Sequence, residues 1–144
     1  KEPRQEGERA KARGRKSQGK REKEPSKNLN MKSNDLLERT FNFGVDVLKL
    51  IRGLPKDSEY SIIRYQLGKS ATSVGANYEE SQAGSSKADF KNKVRIALKE
   101  ARESNYWLRI IMALDEEKNP ELERLLQESK EIKNILAAII NKMN

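Results

Sequence analysis

QLGKSATSVGANYEES, residues 66–81, is the stretch on which the fold of this chain turns. Ile63, Leu67, Ser70, Val74 and Asn77 recur at spacings of 4, 3, 4 and 3, which places them on one face of a helix. Yet the run is built largely from Ser, Ala, Thr and Gly. Ser and Thr are mediocre helix formers, and Gly75 costs roughly 1 kcal/mol against Ala. A helix that tolerates such costs gains close approach to a neighbour. Small side chains admit a second helix, and Ser, Thr and Asn can hydrogen-bond across the contact. The pattern predicts a tightly packed core helix over 58–82, capped by Asp57 or Ser58; a ligand-contacting face is the less favoured reading. Asn77 and Glu80 lie one turn apart, on or beside the small face. They are candidates for a structural polar network, because polar groups that are buried must be paired.

Three more helices follow from the same kind of reading. Leu37, Phe41, Gly44, Leu48 and Ile51 hold spacings of 4, 3, 4 and 3, predicting a helix over 35–52. Ser33, Asn34 or Asp35 would cap it, and Gly53 with Pro55 would stop it. Gly44 in its middle reads as a close helix contact. Gly84-Ser85-Ser86 should end the second helix and cap the third, expected over 87–115. Phe90, Val94, Ala97, Ala101, Ser104, Leu108 and Ile111 keep the alternation over three heptads, the clearest bundle seam in the chain. Ile96, Trp107, Ile110 and Leu114 add a second apolar strip, so this helix should touch more than one neighbour. Asn119-Pro120 reads as a cap followed by proline in the first turn of a fourth helix over 120–142. Its seam is Leu122, Leu125, Ser129, Ile132, Leu136, Ile139 and Met143. Long helices joined by short connections predict an all-α, antiparallel, up-down-up-down four-helix bundle over 33–144.

Two blocks carry a resemblance. Gln66-Leu67, Lys69-Ser70-Ala71, Ser73-Val74-Gly75-Ala76-Asn77 and Glu80 form the first, and Ala97-Leu98-Lys99-Glu100-Ala101-Arg102-Glu103-Ser104-Asn105-Tyr106-Trp107-Leu108 the second. Together with Phe41 and the Leu54-Pro55 turn before Tyr60, they resemble the four-helix-bundle proteins encoded in 23S rRNA intervening sequences. The resemblance runs from about Leu37 to Met143 and leaves out the first thirty residues. It implies a homo-oligomer, a pentameric ring; periodicity alone gives only a spare apolar face. Tyr106, Trp107 and Ile110 are the candidates for that interface. The family pattern has the same Asn and Glu as Asn77 and Glu80, which supports a shared packing role.

Charge and apolar content are unevenly spread. The chain has 144 residues, 35% hydrophobic and 36% charged, with a net charge of +8. Residues 1–30 hold 11 Lys/Arg against 5 Asp/Glu and only Ala10, Ala12 and Leu29 as hydrophobes. Such a segment cannot offset its ordering entropy by burial, so 1–32 are expected to be a disordered basic tail. Met31 is the first methionine and the resemblance begins just after it. The tail is therefore expected either to precede a natural start at Met31 or to be an added extension. The remaining residues carry 19 basic against 17 acidic groups, so most of the basic excess sits in the tail. No apolar run approaches the ~18 residues of a membrane span, and no secretory signal stands out, so a cytoplasmic protein is expected.

The chemistry is narrow. There is no Cys and no His. That removes disulfides, a thiolate nucleophile and the usual general base near neutral pH, and the expectation is a non-enzyme with no cofactor. Glu79, Glu80, Glu100 and Glu103 could in principle ligate a metal, but a di-iron bundle site calls for Glu-x-x-His pairs, and no metal is expected. Binding of RNA or a ribonucleoprotein is the leading function. The tail offers phosphate-binding cations. On the third helix Lys91, Lys93, Arg95, Lys99, Arg102 and Arg109 offer a second cationic group. Of these Lys91, Arg95, Lys99 and Arg102 share a face at spacings of 4, 4 and 3, and Arg64 and Lys69 on the second helix could join them. The same cations also read as a solvated face interleaved with Glu100 and Glu103. The family resemblance, which extends more distantly to accessory bundle proteins of diversity-generating retroelements, favours RNA. The alternative is a protein–protein interaction or scaffold module with no nucleic-acid role.

Overall fold

A computed structural model describes residues 31–84 and 86–144, with side chains from Asp35 onward. The basic tail expected to be disordered falls outside these residues, as does Ser85. Four helices follow in order: α1 Met31–Arg52, α2 Ser58–Ser81, α3 Lys87–Leu114 and α4 Pro120–Met143. Each packs against its neighbour in sequence, α4 returns to α1, and among the described residues no diagonal pair touches. The result is an antiparallel square of helices around one core.

The local signals explain most of the boundaries. Ser86 Oγ accepts from the Asp89 amide at 3.2 Å and Asn119 Oδ1 from the Leu122 amide at 3.1 Å, satisfying donors that a helix start leaves free. Pro120 sits in the first turn of α4, where its missing N–H costs nothing. Gly84 takes a φ of +81°, open to glycine at little cost, and turns the chain from α2 to α3. Asp57 holds the N-cap position of α2 without a side-chain bond; the Tyr60 amide bonds its carbonyl instead, at 3.0 Å. The start of α1 differs from expectation. The helix reaches back to Met31, so Ser33, Asn34 and Asp35 lie inside it and do not cap it.

The middles of the α2, α3 and α4 seams are as the periodicity predicts. Ile63, Leu67, Ser70 and Val74 are buried on α2, Val94, Ala97, Ala101, Ser104, Leu108 and Ile111 on α3, and Leu122, Leu125, Ser129, Ile132 and Leu136 on α4. Their ends depart from it: Asn77, Phe90, Ile139 and Met143 are only half-buried, and Ile140 turns inward where Ile139 is expected. On α1 the seam is rotated. Leu36, Thr40, Phe43, Val47 and Ile51 face the core, while Phe41 is 61% and Leu48 42% exposed. The predicted strip through Leu37, Phe41 and Leu48 therefore lies beside the core, and only Gly44 and Ile51 of it are buried. Glycine contacts explain the rotation. A Cβ on Gly75 would lie 3.1 Å from the Thr40 carbonyl oxygen and 3.4 Å from the Phe41 nitrogen, so α2 rests almost on the α1 backbone there. Gly44 faces Ala71 and Thr72 one turn further along. Only a backbone-on-backbone approach can be this close, and it fixes which side of α1 turns inward.

Opposite, α1 and α4 are joined by ion pairs. Arg39 grips Glu128, with Nε 3.3 Å from Oε2, and lies 3.9 Å from Glu131. Arg124 Nη2 donates to Asp46 at 2.8 Å and to Glu121 at 2.6 Å. Hydrogen bonding to Glu128 and to Glu121 respectively holds each guanidinium's proton more tightly than usual.

The two glycines should respond in opposite ways to a methyl group. Gly75→Ala must push two backbones apart and should destabilise the bundle by about 1–3 kcal/mol, in spite of alanine's helix propensity. Gly44→Ala meets only neighbours at 3.5 Å or more and should be neutral or stabilising by up to roughly 1 kcal/mol. Urea unfolding of the two variants checks both.

Candidate nucleic-acid interface

Hydrogen bonds fix which way α3 faces. The Ser104 and Ser70 hydroxyls are 3.0 Å apart, marking the α2 flank. Asn105 Nδ2 donates to Ser129 Oγ at 3.0 Å, marking the α4 flank. The outward side carries Arg95, Lys99, Arg102, Tyr106 and Arg109, all exposed, at spacings of 4, 3, 4 and 3. They form one continuous stripe, roughly 21 Å long at 1.5 Å per residue. Among the described residues none of its four cations makes a salt bridge. Arg109 Nε instead donates to Asn105 Oδ1 at 3.0 Å, and its guanidinium lies 5.8 Å from the centre of the Tyr106 ring. Lys91 extends the stripe toward the start of α3, where its amine donates to the Asn144 side chain. A groove of about 330 Å³ between α3 and α4 adjoins the stripe; Arg109, Asn105, Gln127 and Lys130 are among its lining residues.

The predicted cations are only partly brought together. Lys91, Arg95, Lys99 and Arg102 share a face. Arg64 does not join them: its Nη2 donates to the carbonyls of Leu54, at 3.0 Å, and Pro55, closing the α1–α2 turn. Lys69 sits on the α2 flank, its amine 6.0 Å from the Tyr65 ring centre and close enough to Glu100 to bear on its ionisation. Arg109, which the sequence places in the cationic series of the third helix but not on the shared face, joins the stripe by its spacing from Arg102.

Asn77 and Glu80 are not brought into a network. Asn77 Nδ2 donates to the Ser73 carbonyl of its own helix at 2.8 Å, and Glu80 is exposed. The buried serine and threonine hydroxyls each reach their own helix. Thr40, Ser70, Ser81, Ser104 and Ser129 bond carbonyls three or four residues back, so they enter the core without needing a partner helix.

Tyr106, Trp107 and Ile110 separate in the same way. Trp107 and Ile110 are half-buried against the core, and the Trp107 indole N–H is buried with no acceptor among the described residues. Tyr106 is 48% exposed, with its ring edge-on to Trp107 at 5.2 Å. Another exposed apolar surface lies in a groove of about 310 Å³ between α1 and α2. Phe41, Val45 and Leu48 form one wall, Thr72 and Ala76 the other, and Gly44 and Gly75 the floor.

Among the described residues no group of His, Cys, Asp or Glu is placed to hold a metal ion, and no helix is long and apolar enough to cross a membrane. Helix order, antiparallel packing and the short connections define a small four-helix-bundle protein. A family model described as 23S rRNA-intervening sequence protein matches residues 32–138, and the chain belongs to that family. The solved structures include a protein of unknown function from the S23 ribosomal protein family of Bacteroides thetaiotaomicron. It is 34% identical, with a TM-score of 0.69, over 77% of this chain and 99% of that one. No curated protein matches the chain.

On the α2 flank, burial first and the neighbouring Glu103 second raise the Glu100 carboxyl above the usual glutamate value, against the pull of Lys99 and Lys69. A carboxylate raised on folding destabilises the fold when ionised. That cost is fully present above the raised value, is relieved as pH falls through it, and is gone below the unfolded value. Glu100→Gln should therefore raise the melting temperature at pH 7, and the gain should disappear as the pH is lowered below the ordinary glutamate range. Thermal melts across pH check this.

Proposed function

We propose that this protein is a non-enzymatic, self-associating, cytoplasmic bundle that binds RNA or a ribonucleoprotein electrostatically. The observation that carries this reading is the α3 stripe, whose four cations stand exposed and outside any salt bridge among the described residues, Lys99 acting on the Glu100 carboxyl only at longer range. A row of cations not tied up in ion pairs favours phosphates, because binding releases the counterions condensed on the nucleic acid. The family name supports RNA as the polyanion. The absence of His and Cys from the sequence supports a binding role over catalysis.

Self-association, as the pentamer that the family resemblance implies, finds its support in the α1–α2 groove. Contiguous exposed apolar surface usually marks an interface. Residues 1–30, with three small or aliphatic hydrophobes, hold too little apolar surface to fill it, which favours a second copy over the chain's own tail as the occupant. The groove also supports the competing reading, a scaffold that binds another protein and no RNA.

RNA binding by fluorescence anisotropy over a salt series separates the two. Affinity should fall steeply with salt for the full chain and for residues 31–144 alone. Charge reversal at Arg95, Lys99 and Arg102 should reduce the logarithmic salt slope by roughly one for each phosphate left unneutralised. Binding that needs residues 1–30 would make the tail a generic polycation, and no binding at all would leave the scaffold reading. Light scattering tests the interface. Phe41→Glu and Leu48→Glu should dissociate the oligomer, whereas dissociation by Tyr106→Glu alone would return the interface to α3.

A further inference from the structure

We infer that Tyr106 is a stacking platform for an unpaired base, so that the ligand of the α3 stripe is single-stranded rather than duplex RNA. This rests on the RNA reading above and narrows it. Three observations carry it. Tyr106 occupies a position inside the cationic row, flanked by Arg102 four residues before and Arg109 three after. A chain lying along those cations must pass over it. The residue is 48% exposed, so the ring is open to a ligand lying along the stripe. It is also held in place: the Tyr106 and Trp107 rings meet at an interplanar angle of 76°, and the Arg109 guanidinium lies 5.8 Å from the Tyr106 ring centre. Trp107 is in turn packed on the core. A ring already ordered loses little rotamer freedom when a base covers it, so more of the stacking energy appears as affinity.

Duplex RNA cannot use this arrangement. Its bases are stacked on one another, and a helical rod touches a straight α-helix through phosphates and sugars. A single strand can splay a base onto an aromatic ring while its phosphates follow the cations on either side, the combination used by proteins that bind single strands without sequence preference.

The test uses the full chain and two fluorescent RNAs, an unstructured oligonucleotide of adenosine and cytidine and a blunt duplex of equal length. Tyr106→Ala should weaken the single strand by about ten-fold, with an unchanged salt slope, because stacking releases no counterions. It should leave the duplex unaffected, and Tyr106→Phe should bind as the parent does. Arg102→Gln should lower the salt slope for both RNAs. An Arg102→Gln effect together with an unchanged Tyr106→Ala affinity would overturn the stacking role and leave the RNA reading standing. Equal weakening on both RNAs, or a weakening that follows a change in oligomeric state by light scattering, would also overturn it. If neither RNA binds the parent chain, the RNA reading itself fails.

Discussion

The contact between Gly75 and the Thr40 backbone governs the geometry of the bundle. At this point two helices meet with almost no side chain between them. Such an approach cannot be rotated or slid without either a clash or a void, and the lining of a void forfeits its dispersion attraction. With α1 held there, Leu36, Phe43 and Val47 have only the core to enter, and Phe41 and Leu48 only the outside. The small residues of α2 are therefore the reason for the groove beside them. Backbones brought this close leave larger side chains on either side standing proud, with a glycine floor between.

The fold could be read from the sequence because three of the four helices follow simple periodicity. On α3 and α4 the alternation is buried from Val94 to Ile111 and from Leu122 to Leu136, because no second strip of comparable apolar content competes for the inward face there, and it fails only near the helix ends, at Phe90, Ile139 and Met143. On α1 two strips compete. Leu36-Thr40-Phe43-Val47 and Leu37-Phe41-Gly44-Leu48 have the same kind of spacing and similar apolar content, and local pattern cannot choose between them. The choice is made by Gly75, more than thirty residues away in the chain. Side-chain hydrogen bonds were still less readable. Asn77 and Arg64 each had several possible partners, and each took a nearby main-chain carbonyl, which is sterically cheap and leaves no mark on residue spacing. The stripe on α3 was partly visible because charge follows the helical repeat as hydrophobicity does. Its partnership with Tyr106 was hidden because an aromatic residue beside Trp107 and Ile110 reads as part of an apolar strip.

The bundle keeps its two main surface features on different helices. The apolar groove belongs to α1 and α2, the cationic stripe to the outward side of α3, toward α4. A partner covering the groove would not cover the stripe. In a closed ring each copy would then contribute its own row of cations, and linked weak sites bind with much greater avidity than any one of them. The polar interior hydroxyls fit the same separation. Because each is satisfied within its own helix, no buried hydroxyl has to be matched across the core, and the surfaces are free to be specified separately.

The α1–α4 seam has a kinetic meaning. Three of the four helix–helix interfaces join elements that are consecutive in sequence, and only this one joins residues far apart, with separations of 78 and 89 at its ion pairs. The chain can thus form most of its structure as local helical hairpins, which places it among low-contact-order topologies that fold quickly. Closure of the square falls to the remaining seam, which must bear the entropy of closing a long loop. That seam is closed by charge pairs at its surface, whose attraction acts over a longer range than packing and is screened by salt. Ionic strength should therefore bear more on the closing of this seam than on the formation of the individual hairpins.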